Sequence, residues 1–442
     1  CSVARWCHDR GHKEMRRSRS IATSACVRAE ALSSQGHVQL TLRVTTDARE
    51  FRAWLASELL TWPFATLYPW LHTRFMDILL EWRAVMPVSA WRRLWKGMRI
   101  LKELNEGAPV AINVLRWVEA MPDGADVEVV DICSGIGFLS MLLSHLLPRE
   151  KVRGIWLVDK QWPHANRSPL PHEISKEHIC AVSWPIPLAT RKTDIKDGSD
   201  VRNLSACVFG RARGPVIMAG VHLCGTLSIK CVQIFNNHPQ CVGLVLKPCC
   251  LPGKKHIFTQ QRLALRTHTG NTAQPNWRLG KHTFTAAELY GDDGVDNVPT
   301  TTSGDGASPA EPAKSAASPP VVVAELPHGG AGPWWLRGRN PNPGYASKLT
   351  AWTGHLLMGI DMEDEATPRS GQAEAKRIER ILIAPWTPQN LFLIAERSVA
   401  LATSDAGPAG VCEQCADALD AGPPPPTPML AAIASPAATV GT

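Results

Sequence analysis

A glycine-rich turn between two apolar runs is the first group of residues that could bind a ligand. The run VEVVD ends in Asp131, and Gly135 and Gly137 follow before a second run, FLSMLLSHLL. This order predicts a strand, a tight turn and a helix, whose free amide groups and positive dipole end attract ligands. In α/β proteins such a turn holds either a dinucleotide or S-adenosylmethionine.

Acidic and polar positions around the turn favour S-adenosylmethionine. The dinucleotide pattern Gly-x-Gly-x-x-Gly needs a third glycine where this chain has Ser140. Asp131 would repel a pyrophosphate, whereas it suits a ligand that carries an ammonium group and a sulfonium. Asp159 ends the next apolar run, 22 residues after Gly137, and is placed to accept hydrogen bonds from both ribose hydroxyls. A nicotinamide-dependent oxidoreductase is therefore the disfavoured alternative.

A polar loop farther along the chain, RKTDIKD, is predicted to complete the nucleoside site. Asp194 is the candidate for contacting the adenine amino group, and Ile195 is the candidate for packing against the ring. Polar loops that contain aspartate are common, so this contact is less specific than those of the turn.

Histidine, lysine and cysteine end two further apolar runs, in GVHLCG and LVLKPCC. His222 is the candidate general base, and Lys247 is the candidate for orienting an anionic or carbonyl group of an acceptor. The cysteines could bind zinc, include a nucleophile, shape the pocket or serve only as small buried residues. Pocket-shaping is favoured over zinc, because neighbouring Cys249 and Cys250 on extended backbone would point in opposite directions. The tail motif CEQC is half of a zinc pattern, with no partner half nearby.

The elements that must position these residues alternate along the chain. Short apolar runs followed by helical patterns predict parallel βαβ units and an α/β, Rossmann-like fold. The predicted strands are 127–132, 152–159, 215–221, 241–247, 377–385 and 390–397. The predicted helices are 51–80, 93–121, 138–147, 226–237 and 345–360, and tryptophans in the first of them are predicted to be core.

The predicted organisation is one α/β domain with additions. Residues 1–50 lack sustained periodicity, residues 51–92 form a helical extension, and residues 93–397 form the α/β domain. Within that domain, 291–332 is rich in Pro, Gly, Ser, Thr and Ala, which predicts a disordered insertion. Residues 398–442 are predicted to be a disordered tail.

Composition narrows the class of protein. The chain has 442 residues, of which 44% are hydrophobic, so it can bury a sizeable core. No apolar run is long enough to span a bilayer, and no membrane partner is expected.

Thirteen scattered cysteines suit an intracellular, reducing compartment. The cytoplasm is expected, and organelle targeting stays open. A net charge of +7 is compatible with a nucleic-acid partner without requiring one. Composition does not indicate an oligomeric state.

Four segments in this order, VVDICSGIGFLS, VDKQWP, GVHLCGTLS and LVLKPCCLPG, resemble the class I S-adenosylmethionine-dependent methyltransferases. Within that class, the chain is most similar to a family with His-x-Cys-Gly after strand four and Pro-Cys-Cys after strand five. This family includes tRNA 2′-O-methyltransferases. The resemblance covers about residues 93–397 and implies a seven-stranded sheet with an antiparallel last strand. It implies methyl transfer with RNA as the leading acceptor, while protein and small-molecule acceptors stay open.

The residue patterns and the resemblance together assign the predicted site. The cofactor-binding residues are Asp131, Cys133, Ser134, Gly135, Gly137, Phe138, Asp159, Lys160, Asp194 and Ile195. The catalytic candidates are His222 and Lys247, the substrate pocket comprises Cys224, Pro248, Cys249 and Cys250, and no metal ligand is assigned. Cys133 stands where the family's turn has its first glycine. This departure motivates the alternative of a non-catalytic module that binds cofactor or RNA.

Overall fold

The computed structural model describes residues 47–96, 99–164, 167–252, 277–285, 288–289, 322–324, 343–361, 375–381, 383 and 390–397. The predictions for residues 1–46, for most of the insertion at 291–332 and for the tail from 398 lie outside the described residues.

A mixed eight-stranded sheet forms the centre of the fold. Its strands are β1 (Val127–Ile132), β2 (Val152–Asp159), β3 (Leu188–Lys192), β4 (Val216–Cys224), β5 (Cys241–Cys250), β8 (Val322–Ala324), β9 (Ala375–Ile381) and β10 (Leu391–Glu396). They lie in the order β3-β2-β1-β4-β5-β10-β9-β8. Strands β1 to β5 are parallel, and β10 is antiparallel to both neighbours. The predicted Rossmann-like sheet with its antiparallel last strand is confirmed, and β8 is an additional edge strand.

Two short elements differ from the sequence predictions. Strand β8 lies within the segment predicted to be a disordered insertion, and it pairs in parallel with β9. Strand β3 was not predicted, because its residues LATRK include few apolar side chains. The hairpin of β6 (Trp277–Leu279) and β7 (His282–Phe284) was also missed and forms a separate two-stranded sheet.

Helices cover both faces of the sheet. They are α1 (Ala48–Leu60), α2 (Pro63–Leu67), α3 (Pro69–Val85), α4 (Val88–Trp95), α5 (Arg99–Ala120), α6 (Phe138–Leu146), α7 (Glu177–Cys180), α8 (Gly198–Cys207), α9 (Thr226–Asn237) and α10 (Pro343–Met358). Val129 of β1 packs in the core shared with α1 to α6, and Val130 packs in the core shared with α8 to α10. Burial on both faces explains why the parallel strands are apolar throughout rather than alternating.

The helical extension belongs to the same core as the sheet. Proline begins both α2 and α3, so the helix predicted over 51–80 is divided into three. Trp91 and Trp95 stack with ring centroids 5.0 Å apart, and both are buried. The predicted core role of the tryptophans in 51–80 is confirmed for Trp62, which is buried, and is wrong for Trp70, which is 49% exposed. None of the helices in the described part of the chain is long and apolar enough to cross a membrane.

Asn105 ties the extension to the sheet. Its side-chain oxygen accepts a hydrogen bond from the Phe64 amide at 3.2 Å, and its side-chain nitrogen donates to the Ile383 carbonyl at 2.7 Å. Asn105 itself is buried on α5. One amide group therefore satisfies two backbone groups from segments that are far apart in sequence.

We expect Asn105→Ala to lower the free energy of unfolding by about 2–5 kcal/mol, because it leaves two buried backbone groups without partners. Urea unfolding followed by circular dichroism measures this loss. Asn237→Ala, at the exposed end of α9, is the control and should change stability by no more than about 0.5 kcal/mol. A similarly small loss for Asn105→Ala would show that these hydrogen bonds do not hold the extension in place.

Candidate functional site

The two glycines of the turn between β1 and α6 have different roles. Gly137 has a φ of 87°, and a Cβ there would lie 2.4 Å from Leu157 Cδ2, so close packing against β2 requires glycine. Gly135 has a φ of 56°, and a Cβ there would meet no atom within 4 Å. The backbone at Gly135 therefore borders open space at the carboxyl edge of the sheet, where ligands bind in open α/β folds. Cys133 adopts a left-handed φ of 58° without being glycine.

Hydrogen bonds from three side chains brace the turn. Asp159, at the end of β2, accepts the Gly135 amide at 3.1 Å with one carboxylate oxygen and the Gln161 amide at 2.8 Å with the other. The Trp162 indole donates to Ser134 Oγ at 3.2 Å. A histidine of α7, His178, donates from Nε2 to the Ile136 carbonyl, at 2.7 Å. Asp159 thus fixes the turn while each of its oxygens retains a lone pair for a ligand hydroxyl.

Asp131 lies beneath the turn and is buried. Its carboxylate accepts a hydrogen bond from Ser140 Oγ at 2.7 Å, which ties β1 to α6. Burial, together with the nearby charge of Asp159, raises the pKa of Asp131 to about 7, and the Ser140 bond only partly offsets this. The predicted contact of Asp131 with an ammonium group stays a prediction. Ser140, which the sequence analysis used only to argue against a dinucleotide, is its structural partner.

The remaining predicted cofactor residues lie around this turn with different exposure. Phe138 is buried at the start of α6, and Lys160 is exposed just after β2. Asp194 is half-buried, and its carboxylate accepts the Lys196 amide at 3.0 Å. Ile195 is buried in the core with Leu204, which leaves little of its side chain free to pack against a ring.

A second group of polar residues lies where α5 crosses the carboxyl ends of β4 and β5. Glu106 of α5 forms ion pairs with His222 Nε2, with Lys247 Nζ at 3.2 Å and with Lys102 Nζ at 3.1 Å. A second glutamate of α5, Glu103, lies 3.6 Å from His222 Nε2. The structure therefore brings the two catalytic candidates, His222 and Lys247, together at the ends of their strands. Their common partner is a carboxylate.

Charge pairing keeps Glu106 ionised although it is buried. Burial alone would raise the pKa of the Glu106 carboxyl, but Lys247, His222 and Lys102 hold it well below its usual value. An imidazole that donates from Nε2 to this carboxylate has Nδ1 as the ring nitrogen that can accept a proton. The Lys102 ammonium also lies 3.3 Å from His222 Nε2. Carboxylate–imidazole pairs of this kind orient a general base.

The position of Lys247 contradicts the prediction that this residue orients an acceptor group. Its ammonium group is fully buried and paired with Glu106, and burial lowers its pKa. A buried ammonium cannot orient an acceptor at the surface, so Lys247 positions Glu106 instead. Glu106 and Lys102 are not among the site residues predicted from the sequence. The available signal was a charged pair spaced i, i+4 within a helix whose other face is apolar.

Two compensating bulges shape the ends of β4 and β5. Val221 pairs with Lys247, Leu223 with Pro248 and Cys224 with Cys250. The pairing therefore skips His222 on β4 and Cys249 on β5, each of which is an extra residue. His222 has a left-handed φ of 63°, as residues of bulges often do.

The bulge on β5 overturns the prediction that Cys249 and Cys250 point in opposite directions. Their Sγ atoms lie 3.5 Å apart, and Cys224 Sγ lies 2.9 Å from Cys249 Sγ. All three sulfurs lie within 4.8 Å of one another. Three of the four predicted pocket residues thus form one thiol cluster, and Pro248 pairs beside it with Leu223 of β4.

We expect Asp131→Asn to gain stability relative to the parent chain as pH rises from 5 to 8. The folded-state pKa of about 7 lies above the unfolded value of about 4, so the parent holds an extra proton in this window and loses stability as pH rises through it. The asparagine amide does not titrate in this window. The difference in free energy of unfolding between variant and parent should therefore grow by roughly 2 kcal/mol. Thermal melts at four pH values, with exposed Asp77→Asn as control, test this. A constant difference across the window would contradict the raised pKa.

Comparisons with known proteins place few limits on the site. No protein-family model and no curated protein sequence matches this chain. Among solved structures, it is similar to a cyclopropane-fatty-acyl-phospholipid synthase-like protein from Lactobacillus casei ATCC 334, with 15% sequence identity and a TM-score of 0.24. The similarity covers 38% of this chain and 55% of that protein, so the chain spans about half its length. Conclusions about the site therefore depend on its own geometry.

Proposed function

We propose that this chain is an S-adenosylmethionine-dependent methyltransferase. The observation that supports this most directly is the turn at Gly135, held by Asp159 and bordered by open space at the sheet edge. Two further features are consistent with it. The parallel strands and the antiparallel β10 agree with the antiparallel last strand that the class I resemblance implies, and Asp131 with Asp159 gives the region two carboxyl groups.

The residues at the turn fit the chemical groups of S-adenosylmethionine. A ligand portion lying over Gly135 would enter space that a side chain would otherwise fill. The lone pairs left on the Asp159 carboxylate can accept ribose hydroxyls. A positively charged sulfonium and ammonium would be attracted by the carboxylate of Asp159, whereas a pyrophosphate would be repelled.

The acceptor side of the site is the Glu106–His222 pair. S-adenosylmethionine supplies a methyl group that is already activated by its sulfonium, so the protein chiefly aligns the acceptor. A hydroxyl acceptor is a poor nucleophile and must lose a proton as it reacts. Nδ1 of His222 takes that proton, and the carboxylate of Glu106 stabilises the resulting imidazolium.

RNA is the acceptor that we propose. The supporting observations are the resemblance of the HLCG and KPCC motifs to a family that includes tRNA 2′-O-methyltransferases and the net charge of +7. An RNA hydroxyl is also an acceptor that needs a base, which agrees with a carboxylate–imidazole pair. Incubating the chain with methyl-labelled S-adenosylmethionine and separate RNA and protein pools tests this. Label in RNA that ribonuclease removes would support RNA, and label in protein alone would exclude it.

We expect S-adenosylmethionine to bind the full chain in the micromolar range, about −8 kcal/mol, as measured by calorimetry. Asp159→Ala and Gly135→Ala should each weaken this binding at least tenfold. The first removes the ribose acceptor, and the second places a methyl group in the open space of the turn.

Gly124→Ala is a matched control for Gly135→Ala. Gly124 has a φ of 74° and no atom within 4 Å of an added Cβ, but it precedes β1 at the opposite edge of the sheet. Both substitutions therefore carry the same backbone strain, roughly 1–2 kcal/mol. Equal losses of affinity in the two variants would mean that Gly135 does not border the ligand, and absence of binding by the folded parent would exclude the methyltransferase proposal.

We expect Glu106→Gln and His222→Asn to slow methyl transfer by about 10²–10⁴-fold without changing S-adenosylmethionine affinity. Asparagine is chosen because it tolerates the left-handed backbone at position 222. Glu119→Gln, on the exposed face of the same helix, should leave the rate unchanged. Binding of S-adenosylmethionine without transfer to any pool would instead favour a non-catalytic binding module.

A further inference from the structure

We propose that Cys224, Cys249 and Cys250 form a zinc site with three thiolate ligands and one open position. Their Sγ atoms form the one group of three or more potential metal-ligand atoms that lie within 4.8 Å of one another among the described residues. Zinc favours thiolates and binds in tetrahedral geometry. The proposal does not depend on methyl transfer, and nothing in the proposed reaction requires a metal.

Two of the separations between the sulfur atoms are somewhat shorter than those of a zinc–thiolate site, and all three are below 4.8 Å. Zn–S bonds of about 2.3 Å at tetrahedral angles place sulfurs about 3.8 Å apart. The Cys224–Cys249 separation is 2.9 Å, and the Cys249–Cys250 separation is 3.5 Å. Cys224 is the exposed member of the group, so binding an ion would require only its side chain to rotate outward.

The backbone holds the three ligands in place without relying on a flexible loop. Cys224 ends β4 and pairs with Cys250 of β5, and the Gly225 amide donates to the Cys250 carbonyl at 3.1 Å. Gly225 has a φ of 57°, and a Cβ there would lie 3.1 Å from Pro252 Cα, so a side chain would disturb this closure. Ligand side chains on strands are held in more precise positions than ligand side chains on loops.

Groups around the cluster suit thiolate ligands. Tyr345 of α10 donates its hydroxyl to the Cys249 carbonyl at 3.2 Å and also lies within hydrogen-bonding range of the Cys250 thiol. Partners of this kind orient metal ligands. Three thiolates and one Zn²⁺ carry a net charge of −1, and the ammonium groups of Lys247 and Lys196 lie close enough to Cys249 and Cys224 to interact with it.

Exposure of Cys224 indicates which ligand the site would accept. Cys249 is buried and Cys250 half-buried, so the cluster reaches solvent on the side of Cys224. A zinc ion with three protein ligands keeps a fourth position for water or an exchangeable ligand. Among small molecules, the chemistry of the site selects a soft donor such as a thiol, which zinc would hold as the thiolate.

The test measures zinc in the full chain by mass spectrometry and then replaces the ion with Co²⁺. The CEQC motif in the tail could bind metal by itself, so all variants carry Cys412→Ser and Cys415→Ser. We expect about one zinc per chain and a thiolate-to-cobalt charge-transfer band. Both should be lost in Cys249→Ser and in Cys224→Ser, while Cys180→Ser, which removes an exposed cysteine outside the cluster, should retain both.

Two further measurements keep the result interpretable. Cys224→His supplies another zinc ligand and should retain zinc, which a purely structural effect of losing the thiol would not explain. Exposed Cys224→Ser should keep the parent's circular dichroism spectrum, so that its loss of zinc is not loss of fold. Equal zinc content in Cys224→Ser and parent, a Cys224–Cys249 disulfide after purification under reducing conditions, or absence of zinc from the folded parent would each overturn the proposal.

Discussion

The carboxylate of Glu106 is a buried charge, and the carboxyl edge of β4 and β5 is arranged around it. A buried carboxylate is costly unless cations and hydrogen-bond donors surround it. Lys247 comes from β5, His222 comes from the bulge on β4, and Lys102 comes one turn earlier on α5. Helix α5 must therefore lie across both strands, and the extension that packs on α5 is placed by the same requirement.

The two halves of this edge differ in chemistry. The half at β1 and β2 has two carboxyl groups, Asp131 and Asp159, around open space at the turn. The half at β4 and β5 has the Glu106 carboxylate surrounded by two ammonium groups and an imidazole, with three thiols beside them. A cationic ligand suits the first half, and an electron-rich group or a soft metal suits the second. In the proposed function, the methyl donor would occupy the first half and its acceptor would lie at the second.

Sequence patterns were sufficient to predict an element or a site residue where the residues involved are close together in the chain. The strand, turn and helix around Gly135 and the acid Asp159 were predicted, because periodicity and spacing are local properties. Glu106 was missed, since a pair spaced i, i+4 on a helix usually faces solvent and only tertiary packing buries it. The prediction for Cys249 and Cys250 was wrong because strand alternation assumes regular pairing, and the bulge depends on β4, a partner distant in sequence.

The two bulges on β4 and β5 have opposite effects on register and cancel. Before them Val221 faces Lys247, and after them Cys224 faces Cys250, with the same numerical offset of 26 residues. Deleting either extra residue alone would leave a net slip and swap the side chains presented at the strand ends. The thiol cluster therefore depends on the number of residues in β4 and β5 as well as on the types of those residues. Deleting both extra residues would preserve the pairing register of β4 and β5, but it would remove His222 and Cys249 together.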